Sequence, residues 1–226
     1  LESEPRERQK FLDIVIVGGG PTGVEIAGAL AELRKHVLPK DYPELDLKEM
    51  DIYLIQSRSR ILDAMSDKSS ATALKNLTEF GVKVILNTRV LDILEDRVVL
   101  SNGSEIMTRK VIWAAGISAS TIPGLNESCY HKSGRLSVND NLQLESVNDV
   151  YAIGDVAYMT TTEGHPQVAP VALQQADFLA KLFINKIKAK ETNSTGFKYM
   201  DKGSLATIGR NKAVAERGKL FLKGFP

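Results

Sequence analysis

The chain has 226 residues, of which 43% are hydrophobic and 25% are charged, and its formal net charge is +1. This composition is typical of a globular protein with one or two domains, and the balance of basic and acidic residues argues against nucleic-acid binding. The single cysteine, Cys129, excludes an intrachain disulfide and a C-x-x-C pair, and no ligand spacing indicates a metal site. The charged amino-terminal segment is unlike a signal peptide, and no run approaches the ~18 apolar residues of a membrane span.

The first predicted strand leads into a glycine-rich turn. Residues 14–17 form a β-branched run that suits a parallel strand buried on both faces. Gly18, Gly20 and Gly23 then give G-x-G-x-x-G, in which the glycines allow a tight turn, close approach of a pyrophosphate, and packing of the helix on the strand. An ordinary turn between strand and helix has the same spacing. A dinucleotide site is favoured by the small residues that give the helix a face able to press on a sheet: Ala27, Gly28, Ala29 and Ala31.

The second predicted strand, residues 51–55, ends at Gln56. In a dinucleotide-binding unit this position commonly holds an acidic residue that accepts hydrogen bonds from the adenosine ribose. A neutral amide removes the repulsion of a 2′-phosphate, and Arg58 or Arg60 could pair with that phosphate. Plain solvation explains two surface arginines equally well. The choice between dinucleotides with and without a 2′-phosphate therefore stays open.

The next elements complete a nucleotide-binding pattern. A helix is predicted over residues 66–80, and a strand over residues 82–86 follows it. The spacing of the apolar residues then changes from helical to strand-like, which predicts an antiparallel meander over residues 89–94, 97–100 and 105–107. The clearest turn signal in it is Asn102-Gly103. A last strand, residues 110–115, runs into Gly116. This order predicts an α/β fold, a Rossmann-like domain whose crossover is an antiparallel β-ribbon.

Beyond Gly116 the sequence has more loop residues and fewer regular apolar runs. Short strands are predicted over residues 136–138 and 150–153, and the second ends in Gly154 and Asp155, where a carboxylate either binds ligand hydroxyls or caps a turn or helix. A long helix over residues 168–187 carries Gln174 and Gln175 near its start, and these amides either point into a pocket or face solvent. A hairpin over residues 203–209 and 212–216 follows, and a further strand starts at residue 219.

Five motifs, taken in order, resemble type II NADH:quinone oxidoreductases, a family of flavoproteins with two dinucleotide-binding units. The resemblance covers almost the whole chain. Residues 18–25 resemble the NADH motif of that family, and residues 111–116 the end of its NADH domain. Residues 151–157 are similar to its second FAD motif, residues 168–175 to its quinone-pocket helix, and residues 203–210 to its carboxyl-terminal hairpin.

The resemblance implies that hydride passes from NADH to FAD and that electrons pass on to a quinone, so that NADH and quinone are the expected partners. It implies two catalytic residues, Glu25 near the nicotinamide and Gln174 facing flavin and quinone. Asp155 is implied to contact the ribityl-phosphate region of FAD. Together, the residues expected to bind NADH or FAD are Gly18, Gly20, Thr22, Gly23, Gln56, Arg58, Ala115, Gly116, Gly154, Asp155 and Ala172.

Three departures from the family pattern shape the expected organisation. Gln56 replaces the usual acidic ribose ligand, Pro170 stands where the quinone motif often has glutamine, and this sequence lacks the family's separate FAD-binding glycine motif and its apolar anchor. We therefore expect an internal fragment, with an NAD(P)H-binding domain at residues 1–118 and, at residues 119–226, the carboxyl-terminal part of an FAD-binding domain with the hairpin region. NADH or NADPH is the expected ligand, whereas FAD belongs to the parent protein and is not expected to stay on the fragment.

The parent protein is expected at the cytoplasmic face of a membrane, attached through segments absent from this chain, while the fragment is expected to be soluble, inactive alone and able to form a homodimer. An alternative function is a nucleotide-binding or redox-sensing module without turnover. The helix with Gln174 and Gln175 favours the dehydrogenase, and the missing FAD motif favours the module. A dithiol-disulfide reductase is excluded by the lack of C-x-x-C.

Overall fold

The computed structural model describes residues 4–188 and 195–225. Its α-helices are α1 Pro5–Leu12, α2 Pro21–Glu32, α3 Leu38–Asp41, α4 Asp67–Glu79 and α5 Ala169–Ile187. Its strands are β1 Ile14–Val17, β2 Ile52–Ile55, β3 Val82–Ile85, β4 Val90–Ile93, β5 Arg97–Leu100, β6 Glu105–Met107, β7 Val111–Trp113, β8 Leu136–Val138, β9 Ala157–Met159, β10 Ser204–Gly209, β11 Lys212–Arg217 and β12 Leu220–Gly224. Among the helices of these residues, none has the length and hydropathy needed to cross a bilayer.

The chain forms two compact units. The first comprises the described parts of residues 1–116 and 203–226, and the second those of residues 117–202. The division expected from the sequence, at residue 118, falls two residues after this boundary and also treats the carboxyl-terminal region differently. It assigned the carboxyl-terminal hairpin region to the second domain, whereas strands β10 to β12 belong to the first unit because they pack on its helices.

A parallel sheet with strand order β3-β2-β1-β7 forms the centre of the first unit. The central strand β1 is buried along its whole length, as its β-branched run predicts. The order β3-β2-β1 is that of one half of a doubly wound sheet, in which α2 and α4 are the crossover helices. The α/β, Rossmann-like fold predicted from the sequence is confirmed.

The predicted meander is also confirmed. Strands β4, β5 and β6 form an antiparallel sheet. Between β5 and β6 the backbone of Gly103 has φ +84°, a left-handed conformation that glycine adopts without strain. Val98, Leu100 and Ile106 of the meander share a buried cluster with Val15 and Val17 of β1. The meander therefore covers one face of the parallel sheet.

The carboxyl-terminal sheet, β10-β11-β12, packs on the helices at the other face. Ala206, Ile208 and Val214 join one buried cluster with residues of α2, α4 and the parallel sheet. The closest approach is at Gly28 of α2, where an added Cβ would lie only 1.8 Å from the carbonyl oxygen of Ile208. The small-residue face of α2, which the sequence predicted to press on a sheet, thus receives strand β10.

Glu216 of β11 reaches the amino end of α4. Its two carboxylate oxygens lie 3.0 and 3.1 Å from the backbone nitrogen of Ser66, and one accepts a 2.7 Å hydrogen bond from Oγ of Ser69. Partial burial disfavours the charged form, but the hydrogen bonds from Ser66 and Ser69 outweigh it and hold the pKa of Glu216 below its usual value of 4.5. The carboxylate also faces the positive end of the α4 dipole.

This contact makes the stability of the first unit depend on pH. Because the folded-state pKa is the lower one, stabilisation by Glu216 is complete above pH 4.5 and is lost as the pH falls through the folded-state value. We expect Glu216→Gln to lower the free energy of unfolding by about 1 kcal/mol at neutral pH, and this deficit to shrink at about pH 3. Urea unfolding followed by circular dichroism measures both values. The control is Glu44→Gln, an exposed loop carboxylate, and a deficit equal at both pH values would contradict the assignment.

The second unit is built around the parallel pair β8 and β9 and helix α5. Its buried cluster includes Leu136 and Val138 of β8, Met159 of β9, and Cys129, which accepts a 3.2 Å hydrogen bond at Sγ from the hydroxyl of Ser146. The predicted strand over residues 136–138 and the predicted helix over residues 168–187 are confirmed, the helix beginning one residue later.

The strand predicted over residues 150–153 is wrong. In the structure this segment pairs at one position only, where Tyr151 forms an isolated bridge with Gln143. Two further backbone hydrogen bonds, from Leu144 to Val150 and from Ala152 to Leu142, hold it beside residues 142–144. An apolar run predicts burial, but a strand also needs a partner in register over several residues. No such partner lies beside this segment within the described part of the chain.

Candidate functional site

The glycine turn after β1 is shaped by two close backbone contacts. Gly18 has φ +111°, and an added Cβ would lie 2.8 Å from the carbonyl carbon and oxygen of Ala114 after β7. An added Cβ on Gly23 would lie 1.8 Å from the carbonyl oxygen of Gly18, because α2 begins directly against the end of β1. These two glycines therefore serve the tight turn and the close packing of helix on strand that their spacing predicts.

Gly20 differs from its neighbours because open space lies in front of it. It is the N-cap of α2, and an added Cβ would meet no atom within 4 Å. The cap position makes no side-chain hydrogen bond, the first turn of α2 holds no acidic residue, and Thr22 in that turn is exposed. The amino end of α2 can therefore present backbone N–H groups and the positive end of its dipole to an anion.

Gln56, at the carboxyl end of β2, holds the glycine turn in place. Its side chain is buried, accepts a 3.2 Å hydrogen bond from the backbone nitrogen of Gly19, and donates a 3.1 Å hydrogen bond to the carbonyl oxygen of Arg60. Its own backbone bonds to Ile85 and Thr88, so it also joins the ends of β2 and β3. The residue at the expected ribose position is thus neutral, and its amide is already used within the protein.

A cavity of about 330 Å³ opens at the carboxyl ends of β1, β2 and β7. This edge of a parallel sheet is where ligands of doubly wound folds bind. Most of the wall is uncharged: Val17, Gly18, Ile55, Gln56, Ser57, Thr88, Val90, Trp113 and Ala115. The remaining wall residue is Arg89. The predicted residues Gly18, Gln56 and Ala115 are therefore brought together in one cavity, and the exposed Gly116, with φ +66°, follows Ala115 directly.

Arg58 and Arg60 lie beyond the cavity wall and already have partners. The guanidinium of Arg58 forms an ion pair with Asp63, and that of Arg60 with Asp67. Arg60 also donates a 2.8 Å hydrogen bond to the carbonyl oxygen of Asp63. The side chain of Arg58 is 73% exposed, so it is solvated as well as paired.

In the second unit, Gly154 and Gln175 are joined by a short hydrogen bond. Gln175 is only 1% exposed, and its Oε1 accepts a 2.6 Å hydrogen bond from the backbone nitrogen of Gly154. Gly154 has φ +70°, and an added Cβ would touch Cβ of Ala172 at 3.4 Å. Of the two glutamines at the start of α5, Gln175 therefore fixes the Gly154 turn against the helix, and Ala172 lies beside that turn.

Asp155 follows this turn with an exposed side chain. The nearby cation is Arg135, which donates hydrogen bonds to the carbonyl oxygens of Ala157 and His165. Burial lowers the pKa of Arg135, and the charge of Asp155 acts in the opposite direction. Burial and the positive charge of Arg135 both lower the pKa of His165, which favours its neutral form.

The two residues expected to be catalytic both bond to backbone groups. Oε1 of Glu25, on α2, lies 3.2 Å from the backbone nitrogen of Thr207, which donates to it. Gln174 uses both ends of its amide on Met200, with Nε2 donating at 3.0 Å to the carbonyl oxygen and Oε1 accepting at 2.9 Å from the nitrogen. In the structure, each of them thus joins a helix to a neighbouring segment of its own unit.

Several residues of the cavity, and one of the second unit, were not predicted from the sequence. Ser57, Thr88, Arg89 and Trp113 line the cavity, and Gln175 positions Gly154. The rule that ligands bind at the carboxyl ends of neighbouring parallel strands would have identified the residues after β2, β3 and β7. For Gln175 no local signal exists, since adjacent glutamines on a helix look alike until the packing of that helix is known.

The family model described as pyridine nucleotide-disulphide oxidoreductase matches residues 1–176. The type II NADH:quinone oxidoreductase Ndh of Mycobacterium tuberculosis is 32% identical, with 99% of this chain and 50% of that protein aligned. The internal alternative NAD(P)H-ubiquinone oxidoreductase A1 of Arabidopsis thaliana is 30% identical over 93% of this chain and 43% of that protein. The chain thus spans about half the length of the curated relatives it matches.

Among solved structures, NDH2 from Plasmodium falciparum in complex with NADH has the same fold, with a TM-score of 0.87 and 20% sequence identity. The match covers 99% of this chain and 61% of that one. The predicted resemblance to type II NADH:quinone oxidoreductases is therefore confirmed by relatives that carry that name. Because the family model covers more than half of the sequence, the chain belongs to the pyridine nucleotide-disulphide oxidoreductase family.

Proposed function

We propose that this chain supplies the NADH site, and part of the flavin and quinone site, of an NADH:quinone oxidoreductase. The observation that carries the proposal is the glycine turn at the edge of the parallel sheet. Open space lies in front of Gly20, at the uncapped amino end of α2. A 330 Å³ cavity, lined in part by Gly18 of the same turn, lies at the carboxyl ends of β1, β2 and β7. A pyrophosphate fits the first feature and a nucleoside fits the second.

We propose that residues of the first unit bind the nucleotide and orient its nicotinamide. Gly20 and the first turn of α2 would hold the pyrophosphate, Thr22 would lie beside it, and Ala115 and Gly116 would line the path from the cavity. Glu25, one turn further along α2, is proposed to lie near the nicotinamide. The protein's part is to position the reacting groups and exclude water, since the cofactors carry the chemistry.

For FAD, the fit rests on residues around Gly154. The left-handed turn at Gly154 and the small Ala172 beside it leave room for a ligand. The exposed carboxylate of Asp155 can accept hydrogen bonds from the ligand's hydroxyl groups. When bound, FAD would supply a hydride acceptor that is reoxidised by quinone. Gln174 is proposed to face the flavin and quinone, and this requires that its bonds to Met200 leave its outer surface accessible.

The quinone and the location of the parent protein are proposed from the names of its relatives, several of which are quinone or ubiquinone oxidoreductases. Quinones of respiratory chains are lipid-soluble, so a protein that reduces them works at a membrane surface. The cytoplasmic face, a homodimer and the absence of bound FAD from this chain remain predictions.

Binding of NADH to this chain tests the proposal directly. We expect NADH fluorescence to change saturably with a dissociation constant below ~1 mM, and 5′-ADP to displace the nucleotide, because the pyrophosphate and adenosine carry the contacts. The matched control is nicotinamide mononucleotide, which lacks the adenosine half and should compete poorly. An absence of saturable binding at millimolar NADH would refute the nucleotide site.

The dehydrogenase reaction needs a separate test on the full-length protein supplied with FAD. NADH absorbance should fall only when a short-chain quinone is present. If NADH binds but no turnover follows, the alternative function, a nucleotide-binding or redox-sensing module, replaces the dehydrogenase. The hydrogen-bonded state of Gln174 is the structural observation that favours this alternative.

A further inference from the structure

We infer that Arg89 binds the 2′-phosphate of an NADPH-type nucleotide, so that the cavity accepts the phosphorylated adenosine in preference to the unphosphorylated one. This inference rests on the proposed function, because it concerns the same cavity. It assigns the phosphate to a residue after β3, whereas the sequence pointed to Arg58 after β2.

Charge on the cavity wall is the first observation. Arg89 is the only charged residue among those that line the cavity in the described part of the chain. The wall therefore has a formal charge of +1 and offers no carboxylate to repel an anion. Ser57 and Thr88 add hydroxyl groups to the same wall. Such a wall attracts a phosphate dianion, and the guanidinium of Arg89 can form charge-assisted hydrogen bonds to it.

The pairing of the arginines is the second observation. Arg58 and Arg60 are each matched by a carboxylate, Asp63 and Asp67, so each pair has little net charge. Across residues 4–188 and 195–225, the side chain of Arg89 has no such ion pair. A phosphate can bind Arg89 without displacing a carboxylate, whereas at Arg58 it must first compete with Asp63.

The backbone at Arg89 is fixed, which is the third observation. Its nitrogen donates a 2.9 Å hydrogen bond to Oγ of Ser101, and its carbonyl oxygen accepts a 2.8 Å hydrogen bond from the nitrogen of Ser101. The preceding residue, Thr88, is buried and bonds through its backbone nitrogen to the carbonyl oxygen of Gln56. The side chain of Arg89 therefore extends from a hydrogen-bonded loop beside Gln56. At the position of Gln56 many dinucleotide-binding proteins have an acidic residue that repels a 2′-phosphate, whereas here the side chain is a neutral amide.

Calorimetric titration with two small probes, 2′,5′-ADP and 5′-ADP, tests the inference on this chain. The wild-type protein should bind 2′,5′-ADP at least about ten-fold more tightly than 5′-ADP. The reason is that a hydrogen bond to a charged group contributes enough free energy to raise the affinity by about that factor. Arg89→Gln should remove most of this preference and leave the affinity for 5′-ADP within about two-fold. Arg89→Lys should retain part of the preference, because the charge remains. The preference should also weaken with added salt.

Two further variants complete the test. Arg109→Gln, an exposed arginine that stacks on Phe11 away from the cavity, is the matched control and should keep the preference. If Arg58→Gln abolishes the preference and Arg89→Gln does not, the phosphate belongs to Arg58 and the inference is wrong. Equal binding of the two probes to the wild-type protein also overturns it, while the nucleotide site stands. No binding of either probe overturns both the inference and the proposed nucleotide site.

Discussion

Gly23→Ala should prevent the first unit from folding normally. The new Cβ would lie 1.8 Å from the carbonyl oxygen of Gly18. The Cβ is attached directly to the backbone of α2 and the oxygen belongs to the backbone after β1, so the clash is relieved only if α2 moves away from β1. We expect a loss of more than about 3 kcal/mol in the free energy of unfolding, at the upper end of the cost of overpacking a core. Thermal unfolding followed by circular dichroism measures the loss, and a melting temperature equal to that of the wild type would contradict the close contact.

Gly20→Ala is the matched variant, and it separates binding from folding. Nothing lies within 4 Å of the new Cβ, and the backbone at Gly20, with φ −73°, is one that alanine adopts readily. The protein should therefore fold with at most about 1 kcal/mol lost, the usual cost of alanine at an N-cap. Its affinity for NADH should fall by more than about ten-fold, because the methyl group occupies the space in which a pyrophosphate meets the helix end. Unchanged affinity would place the pyrophosphate elsewhere.

Gly28→Ala should detach the carboxyl-terminal sheet from α2. Here the Cβ would lie 1.8 Å from the carbonyl oxygen of Ile208, near the end of strand β10. We expect a loss of about 3 kcal/mol, together with faster hydrogen exchange at Ala206, Ile208 and Val214, which are buried in the wild-type protein. Hydrogen exchange read by mass spectrometry detects this change.

The control for Gly28→Ala is Ala29→Ser, at the next and exposed position of the same helix. It should leave the exchange of β10 and β11 unchanged. If Gly28→Ala protects these strands as well as the wild-type sequence does, the sheet is held by contacts other than the helix face.

Much of the first unit could be predicted because its signals are local. The β-branched run of β1, the glycine spacing after it and the Asn102-Gly103 turn each determine a backbone conformation within a few residues. The location of the carboxyl-terminal sheet was not predictable in this way, because a hairpin carries no mark of the body it will join. Gly28 was the available clue, since a small residue in the middle of a helix indicates that another backbone comes close.

The candidate site shows the same limit. The sequence identified Gln56 as the residue at the ribose position, but its hydrogen bonds to Gly19 and Arg60 depend on the three-dimensional path of the loop. It also drew attention to Arg58 because of its position after β2. Whether an arginine is paired depends on carboxylates brought near by the fold, so neither the pair with Asp63 nor the unpaired state of Arg89 could be predicted from spacing.

The division of the first unit into two chain segments has a consequence for synthesis. Residues up to 116 leave the ribosome well before residues 203–225, and the whole second unit is made in between. Until β10 arrives, the face of α2 around Gly28, with Ala27 and Ala31, lacks the strand that covers it. Contacts between such distant segments form slowly. The first unit can therefore begin to fold early but reaches its final packing only after the second unit has been synthesised.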